Sequence, residues 1–599
     1  MWKQSIPVAS GPLIRDPACF FCRAYRPSDN DFFGKVQSRS FKPVQHPENL
    51  ICEHHMITRI TGGRLVDPAS GVDAVAEVWV QGENIISPPV DAVADRVIDA
   101  SGCVVMAGGI DLHTHIGGGK VTLARMLLQD QMPSRPSDCE FLPSASVTGQ
   151  RYLDMGYTTC FEPAVIPCNA RSAHAEMADV VGIDTGGYCL LGSDDVLLQL
   201  MANQVPQSVV NDYVAWMVRA TQCIAVKVVN PGGISAFKFG TRKFDLDSRH
   251  PQYGVTPAQI IETLCRAVYE IGLPHPLHVH CSNLGVPGNI DSTLATIRAA
   301  DGLPIHLTHA QFHCYGDGEN GMSSAAAKLV DMMNRHQNVT IDVGQVMFGQ
   351  TVTISADTMH QYENFKYANP RKSILLDVEL EAGCGVVPFR YRRRQFVHSL
   401  QWAIGLELFL MIDDPSRVFL TTDHPNGAPF TAYPHLIRLL CDRSFRETAL
   451  AEIHDDAAAS SQLAGIDRQY SLHDIATMTR SAPAAILGLE DRGHLAVGAI
   501  ADLVIYQVND DLEKMFRQPK WVMRRGQLVR GAGASECKSL RTSTQVADVT
   551  FDASSVAKFK PIYEQASAMS MDRLWIDEEE LYSSLDVSTT VHACMRSMA

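Results

Sequence analysis

The chain reads as an α/β protein: a central (β/α)8 barrel of the TIM type beside a small β-sandwich formed from both ends of the chain. Three observations predict this. From about residue 106 to 480, short apolar runs alternate with longer amphipathic stretches, the pattern of a parallel sheet whose strands are joined by helices. On either side, at 56–105 and 481–535, short β-like runs are broken by turn residues. Ionisable residues also gather at the ends of the central runs, the face on which such barrels carry their chemistry.

Taken in order, residues 1–55 hold Pro, Arg and Ser clusters without a sustained period and predict a poorly ordered extension. Regular patterning begins at Met56, itself a candidate start. Within the extension, Cys19 and Cys22 followed by Cys52 and His54 offer a weak zinc pattern, the second pair being only Cys-x-His. Ile57–Ile60, Val78–Val80, Arg96–Ile98 and Val104–Val105 read as short strands, separated by Gly62-Gly63, Asp67-Pro68 and Gly82-Glu83-Asn84. Ala501–Tyr506 and Trp521–Met523 match them downstream. In the barrel segment the apolar runs include Cys160–Phe161, Ile224–Val229, Leu277–Val279, Ile305–Thr308, Val339–Val343 and Val418–Thr422. Pro257–Glu270 and Ala325–Asn334 carry helical periodicity. Residues 536–599 read as a C-terminal tail.

Composition narrows the function. With 599 residues, 46% apolar and 20% charged, the chain can bury a large core. No stretch approaches the roughly 18 uninterrupted apolar residues of a membrane span. The start, Met1–Pro7, lacks the apolar core of a secretory signal, which predicts a cytoplasmic protein. Sixteen cysteines are scattered, with Cys160, Cys189 and Cys223 inside apolar runs, and read as reduced, buried groups. A net charge of −15 argues against a general nucleic-acid binder.

The chemistry-bearing residues follow one another along the barrel. His113 and His115 lie two apart behind the run Val104–Met106 and Gly108–Ile110, and on an extended chain i and i+2 face the same way. Alone the pair is weak, since the chain holds 22 histidines and a second such pair at His278 and His280. Lys227 sits among β-formers in Ile224–Val229, where an ammonium is costly to bury. Carbamylation by CO2 would turn it into an anionic group able to bridge two metals; the plain alternative is a lysine reaching solvent at a strand edge. Two histidine-bearing runs follow, Leu277–Asn283 and Leu303–Gln311. Placement nearest the strand ends favours His280 and His309 as ligands, with His278 and His306 as second choices. Asp423 closes the run Val418–Thr422 before the turn Pro425-Asn426-Gly427 and could both hold metal and accept a proton.

The order His-x-His, Lys, His, His, Asp resembles that of the amidohydrolase superfamily, in which two divalent ions are held in a barrel beside a β-sandwich. The phrase Gly493–Leu503 resembles the sandwich strand common there. Finer phrases resemble one branch, the A subunits of formylmethanofuran dehydrogenase and of the bacterial formyltransferase/hydrolase complex: Gly117–Val121, Val228–Gly233, His280–Gly285, Thr308–His313, Val387–Tyr391 and Thr422–Phe430. The likeness spans about residues 57–535. It implies a binuclear centre, of zinc by resemblance, held by His113, His115, carboxylated Lys227, His280, His309 and Asp423, with Asp423 also the general base. It implies interconversion of formylmethanofuran with formate and methanofuran, inside a complex with other subunits, with no nucleic acid and no membrane involved. Asn230, Asn283 and His313 become candidate substrate contacts. So do Arg390 and Arg392, in the basic cluster running to Arg394, because guanidinium groups pair with the acidic tail of methanofuran-type cofactors. The alternatives are a stand-alone hydrolase of cyclic amides, of the hydantoinase or dihydroorotase kind, and a non-catalytic scaffold within the complex.

Overall fold

In the computed structural model, the described residues are 56–90, 93–128, 145–241, 243–354, 364, 366–367, 378–379, 385–534, 540–585 and 587–594. The N-terminal extension, with its Cys19, Cys22, Cys52 and His54 pattern, lies outside them.

Eight parallel strands build the barrel. They are β1 (Gly109–Asp111), β2 (Tyr157–Val165), β3 (Asp184–Leu190), β4 (Ala225–Val229), β5 (Leu277–His280), β6 (Ile305–Leu307), β7 (Val339–Asp342) and β8 (Val418–Phe419). Each pairs with its neighbour in sequence order. A parallel bridge from Thr114, just past β1, to His424, just past β8, brings the first strand to the last. The fold class expected from the alternation is therefore present. Register explains how polar groups come to share one layer: Lys227 pairs with His278, His278 with His306, and His306 with Thr340, so alternate inward positions align across four strands.

The helices follow local rules. Pro257–Ile271 opens with a capping box between Thr256 and Gln259 and stops at Gly272, whose φ of 78° suits glycine. Phe396–Met411 is apolar on every side and buried along nearly its whole length, as a helix wedged within the core must be.

The sandwich joins residues from opposite ends of the sequence: Val105 pairs with Ile505, and Leu503 with Ala107. One sheet holds Ile57–Thr61, Val78–Gln81, Asn84–Ile86 and Arg96–Asp99; the other combines strands from 64–107 with strands from 503–530. Period-two alternation lets this second sheet serve two cores. Val105 and Ile505 pack into the sandwich with Ile60, Val80 and Ile98, whereas Val104, Met106, Val504 and Tyr506 pack into the barrel core.

Residues expected to form a tail instead make two parallel strands, Ser543–Asp548 and Ser588–Ala593, linked by the helices Ala553–Ala566 and Glu578–Leu585. The first adds to β3 at Thr185 and Gly186, below the point where β4 takes over that edge at Tyr188. Asp184 ties the three regions together. Its carboxylate lies 2.7 Å from the Arg492 guanidinium, 2.9 Å from Arg524 and 3.3 Å from Arg525, and accepts the Ser543 N–H at 2.8 Å. Burial disfavours the charge, but the three cations hold it well below the usual carboxylate range. Replacing Asp184 with alanine leaves those guanidinium groups buried without their counter-ion. The expected loss is about 3–5 kcal/mol, read by chemical denaturation.

Candidate metal centre

Both of the first two histidines are aimed by a buried acid. The His115 Nδ1 lies 2.8 Å from Glu162 Oε1, and the other Glu162 oxygen accepts the N–H groups of Ile116 and Gly117 at 2.7 and 3.1 Å. His113 Nδ1 lies 3.0 Å from Asp342 Oδ2 and 2.9 Å from His278 Nε2. With those nitrogens engaged, the Nε2 atoms of His113 and His115 face Asp423 Oδ1 at 3.1 and 3.4 Å. The backbone is pinned to match. Asp111 receives hydrogen bonds from the Tyr152 and Tyr433 hydroxyls and the His113 N–H, Thr421 Oγ1 donates to the His113 carbonyl, and the Asp423 N–H donates to that same Oγ1.

Four residues just beyond barrel strands take up positive φ: Asn230 at 43°, Asn283 at 66°, His309 at 35° and Asp423 at 50°. Such backbone is rare for residues with a side chain and collects at functional sites. At His309 it is supported by the N–H donating to Asp342 Oδ1 at 2.6 Å. Gly344, at φ 60°, lies so near that a Cβ there would meet the His309 Cβ at 2.3 Å, so only glycine permits this approach.

His113, His115, Lys227, His280, His309 and Asp423 all line one pocket at the C-terminal face of the barrel, with a cavity volume of about 100 Å³. Its upper walls are apolar, including Val121, Ile166, Ile234, Leu284, Phe312 and Ile354. Lys227 Nζ donates to Thr308 Oγ1 at 3.2 Å.

The ionisable groups of the pocket perturb one another strongly. Burial works against charge on His115, but Glu162 and Asp423 outweigh it and push its pKa up to about 9. Burial pulls Lys227 down to about 8, with Asp342, Asp423 and Glu162 opposing. His280 and His309 are held well below the usual imidazole range by burial and by neighbouring imidazoles. Asp423 stays well below the carboxylate range despite burial, because His113 and His309 face it.

Among the described residues, two groups of side chains converge closely enough to hold an ion: His113, His115 and Asp423; and His280, His309 and His313. A third, His113, His278 and Asp342, consists of atoms already within hydrogen-bond distance of one another. The first two groups pass a stricter test. Buried His280 Nε2, His309 Nδ1, both ring nitrogens of His313 and Asp423 Oδ1 lack a hydrogen-bond partner of good geometry. Leaving such atoms unsatisfied costs about 1–3 kcal/mol each, which bound cations would offset. The donor set of imidazoles and a carboxylate suits a divalent ion such as zinc.

The remaining sequence candidates fall elsewhere. His278 Nε2 contacts His113 Nδ1 and His278 Nδ1 lies 2.9 Å from His275 Nε2, while His306 lies between Thr340 and Asp342. Asn283 turns its amide to Asp245 and Ser292, and the Asn230 N–H donates to the His280 carbonyl. Arg390 and Arg392 are exposed, on or just past the strand Gly385–Tyr391, and do not line the pocket. Glu162, Asp342 and His275 escaped the sequence reading. Glu162 follows the run Cys160–Phe161, and Asp342 sits inside Val339–Val343 as Lys227 sits inside Ile224–Val229.

A parallel barrel whose first strand leads into His-x-His and whose last is followed, four residues on, by a buried aspartate defines a metal-dependent hydrolase of the amide-cleaving type. The chain belongs to the amidohydrolase family: the model described as Amidohydrolase family matches residues 96–530. It is 48% identical over 483 residues to the A subunit of the formyltransferase/hydrolase complex Fhc of Methylorubrum extorquens, covering 79% of this chain and 88% of that one. It is 37% identical over 513 residues to protein FwdA of Methanocaldococcus jannaschii, covering 78% and 87%. The crystal structure of the FhcABCD complex of Methylorubrum extorquens with methylofuran contains a chain similar to this one with a TM-score of 0.83. The identity there is 42%, over 90% of this chain and all of that one. The resemblance to the A subunits of formyltransferase/hydrolase complexes, first carried by short phrases, thus extends over most of the chain.

Proposed function

We propose that the chain is the A subunit of a formyltransferase/hydrolase complex and cleaves the formyl amide of a formylmethanofuran-type cofactor in the cytoplasm. Formate and the free amine of the carrier result, and the same site serves the reverse condensation. The observation that carries this reading is the convergence of six side chains, His113, His115, Lys227, His280, His309 and Asp423, on one pocket in a chain 48% identical to the Fhc A subunit.

His113, His115 and Asp423 would hold one divalent ion, and His280 and His309 the other, with carboxylated Lys227 between them. When bound, the ions supply Lewis-acid polarisation and a water of lowered pKa. The chain's own residues do the rest. The apolar upper walls seat the carrier and exclude bulk water, which strengthens every charge interaction below them. Asp423 takes a proton from the attacking water and returns it to the nitrogen of the breaking C–N bond; the acid proton of the released formic acid then passes to the amine, so one water and one formamide give formate and an ammonium group. Lys227 favours carboxylation because burial leaves part of its amine uncharged, the form that attacks CO2. Zinc fits the donor set.

The reading is tested by purifying the chain with its partner subunits and following formate released from formylmethanofuran, beside hydantoin and dihydroorotate as competing substrates. Turnover of the cyclic amides alone would count against it. A supporting prediction concerns Asp342, which orients His113 and the His309 backbone without lining the pocket. Asp342→Asn should weaken zinc affinity about 10–100-fold, read by competition with a chromophoric chelator, while the fold is retained.

A further inference from the structure

The Thr308–His313 segment carries one more histidine than the six-residue set uses. After His309 the chain makes a short 3-10 turn, Ala310–His313, closed by the Phe312 N–H donating to the His309 carbonyl at 3.0 Å. Four positions on, the His313 ring comes back beside His309 and His280, with ring centroids 5.2 and 5.0 Å away. The turn is fixed from the β5 side. Thr293 Oγ1 donates to the His313 carbonyl at 2.7 Å, and Asn289 Nδ2 donates to the Phe312 carbonyl at 2.8 Å. His313 is 1% exposed; its ring approaches the Ser282 backbone, but neither nitrogen makes a hydrogen bond of good geometry. A buried histidine serving only packing normally satisfies at least one nitrogen, as His174 does with the Thr221 carbonyl. One ligand atom from each of His280, His309 and His313 already lies within 4.8 Å of the others. Zinc–nitrogen bonds of about 2.0–2.1 Å ask these atoms to close in by roughly 1 Å, within reach of small ring rotations.

Resting on the metal-dependent reading above, we propose that His313 is the third histidine of the second ion site, which the chain holds through His280, His309 and His313 whether or not Lys227 is carboxylated. Three imidazoles from the chain would hold the second ion by themselves, and carboxylated Lys227 would add a further ligand to it. It also gives strong partners to a buried histidine whose ring nitrogens otherwise make no hydrogen bond of good geometry.

The test is zinc or cobalt(II) titration of the chelator-stripped complex, full chain with partners, for the wild type and for His313→Ala, His313→Gln and His313→Asp. The wild type should bind about two ions per chain. His313→Ala and His313→Gln should lose the second ion, its affinity falling about 100-fold or more, while the first ion is kept; His313→Asp, which restores a ligand, should recover it in part. The cobalt spectrum of the second site should change in step. Unchanged binding of both ions by His313→Ala and His313→Gln, with a raised KM for formylmethanofuran, would overturn the proposal and make His313 a substrate contact. A wild-type complex binding no ion would overturn the metal reading itself, which is a different result. If His313→Ala fails to fold, the glutamine and aspartate pair still decides.

Discussion

Asp423→Asn should lower kcat for formate release about 10³-fold or more, with KM changing by less than about tenfold. Asparagine keeps the size of the side chain and tolerates the positive φ that Asp423 adopts at 50°. The N–H bond to Thr421 Oγ1 is likewise untouched, so the fold should survive. What is lost is the anion. Asp423 Oδ1 lies within 3.4 Å of the Nε2 atoms of both His113 and His115 and is buried, so no solvent group can replace it as proton carrier. Steady-state formate release, with a melting curve as the folding control, checks this. A loss below tenfold would remove Asp423 from the proton path.

The second large effect concerns Lys227. On the proposal that Lys227 is carboxylated, Lys227→Ala should lower activity about 10³-fold or more and loosen ion binding, because it would remove the anion proposed to hold the ions. Lys227→Arg should not recover activity, since a guanidinium cannot take up CO2 and stays cationic. In the wild type, intact-mass measurement under native conditions should find the mass of one CO2 on Lys227 that acid removes. Full activity in Lys227→Ala, with both ions retained, would leave Lys227 as a buried lysine bonded only to Thr308.

Much of this was legible in the sequence, for physical reasons. The barrel could be read because parallel strands buried on both faces must be continuous apolar runs, and the runs at Ile224–Val229 and Leu277–Val279 fall inside or against β4 and β5. Lys227 stood out because a charge amid β-formers demands an explanation. The choice of His280 and His309 over His278 and His306 followed from placement nearest the strand ends, and the pocket lining has the same two. The sandwich was foreseen from matching β runs, but not its double role, because the partners of Val104 and Val105 lie on opposite faces of a sheet completed from the far end of the sequence. Glu162 and Asp342 were missed because an acid that orients a histidine is recognised only through tertiary contact; neither belongs to a motif of fixed spacing. The strands at 543–548 and 588–593 escaped because they lie beyond the resembling phrases, and their polar residues, such as Thr544 and Gln545, hide the apolar alternation. The direction of the Asn283 amide depends on its left-handed backbone, which sequence does not reveal.

The central claim is that these six side chains form a metal-dependent formyl-amide hydrolase. It is tested most directly by stripping metal from the purified complex and measuring formate release from formylmethanofuran before and after zinc is restored. Near-complete loss on stripping is expected, with recovery that saturates at about two ions per chain. Formate release that continues undiminished in metal-free protein would contradict the claim.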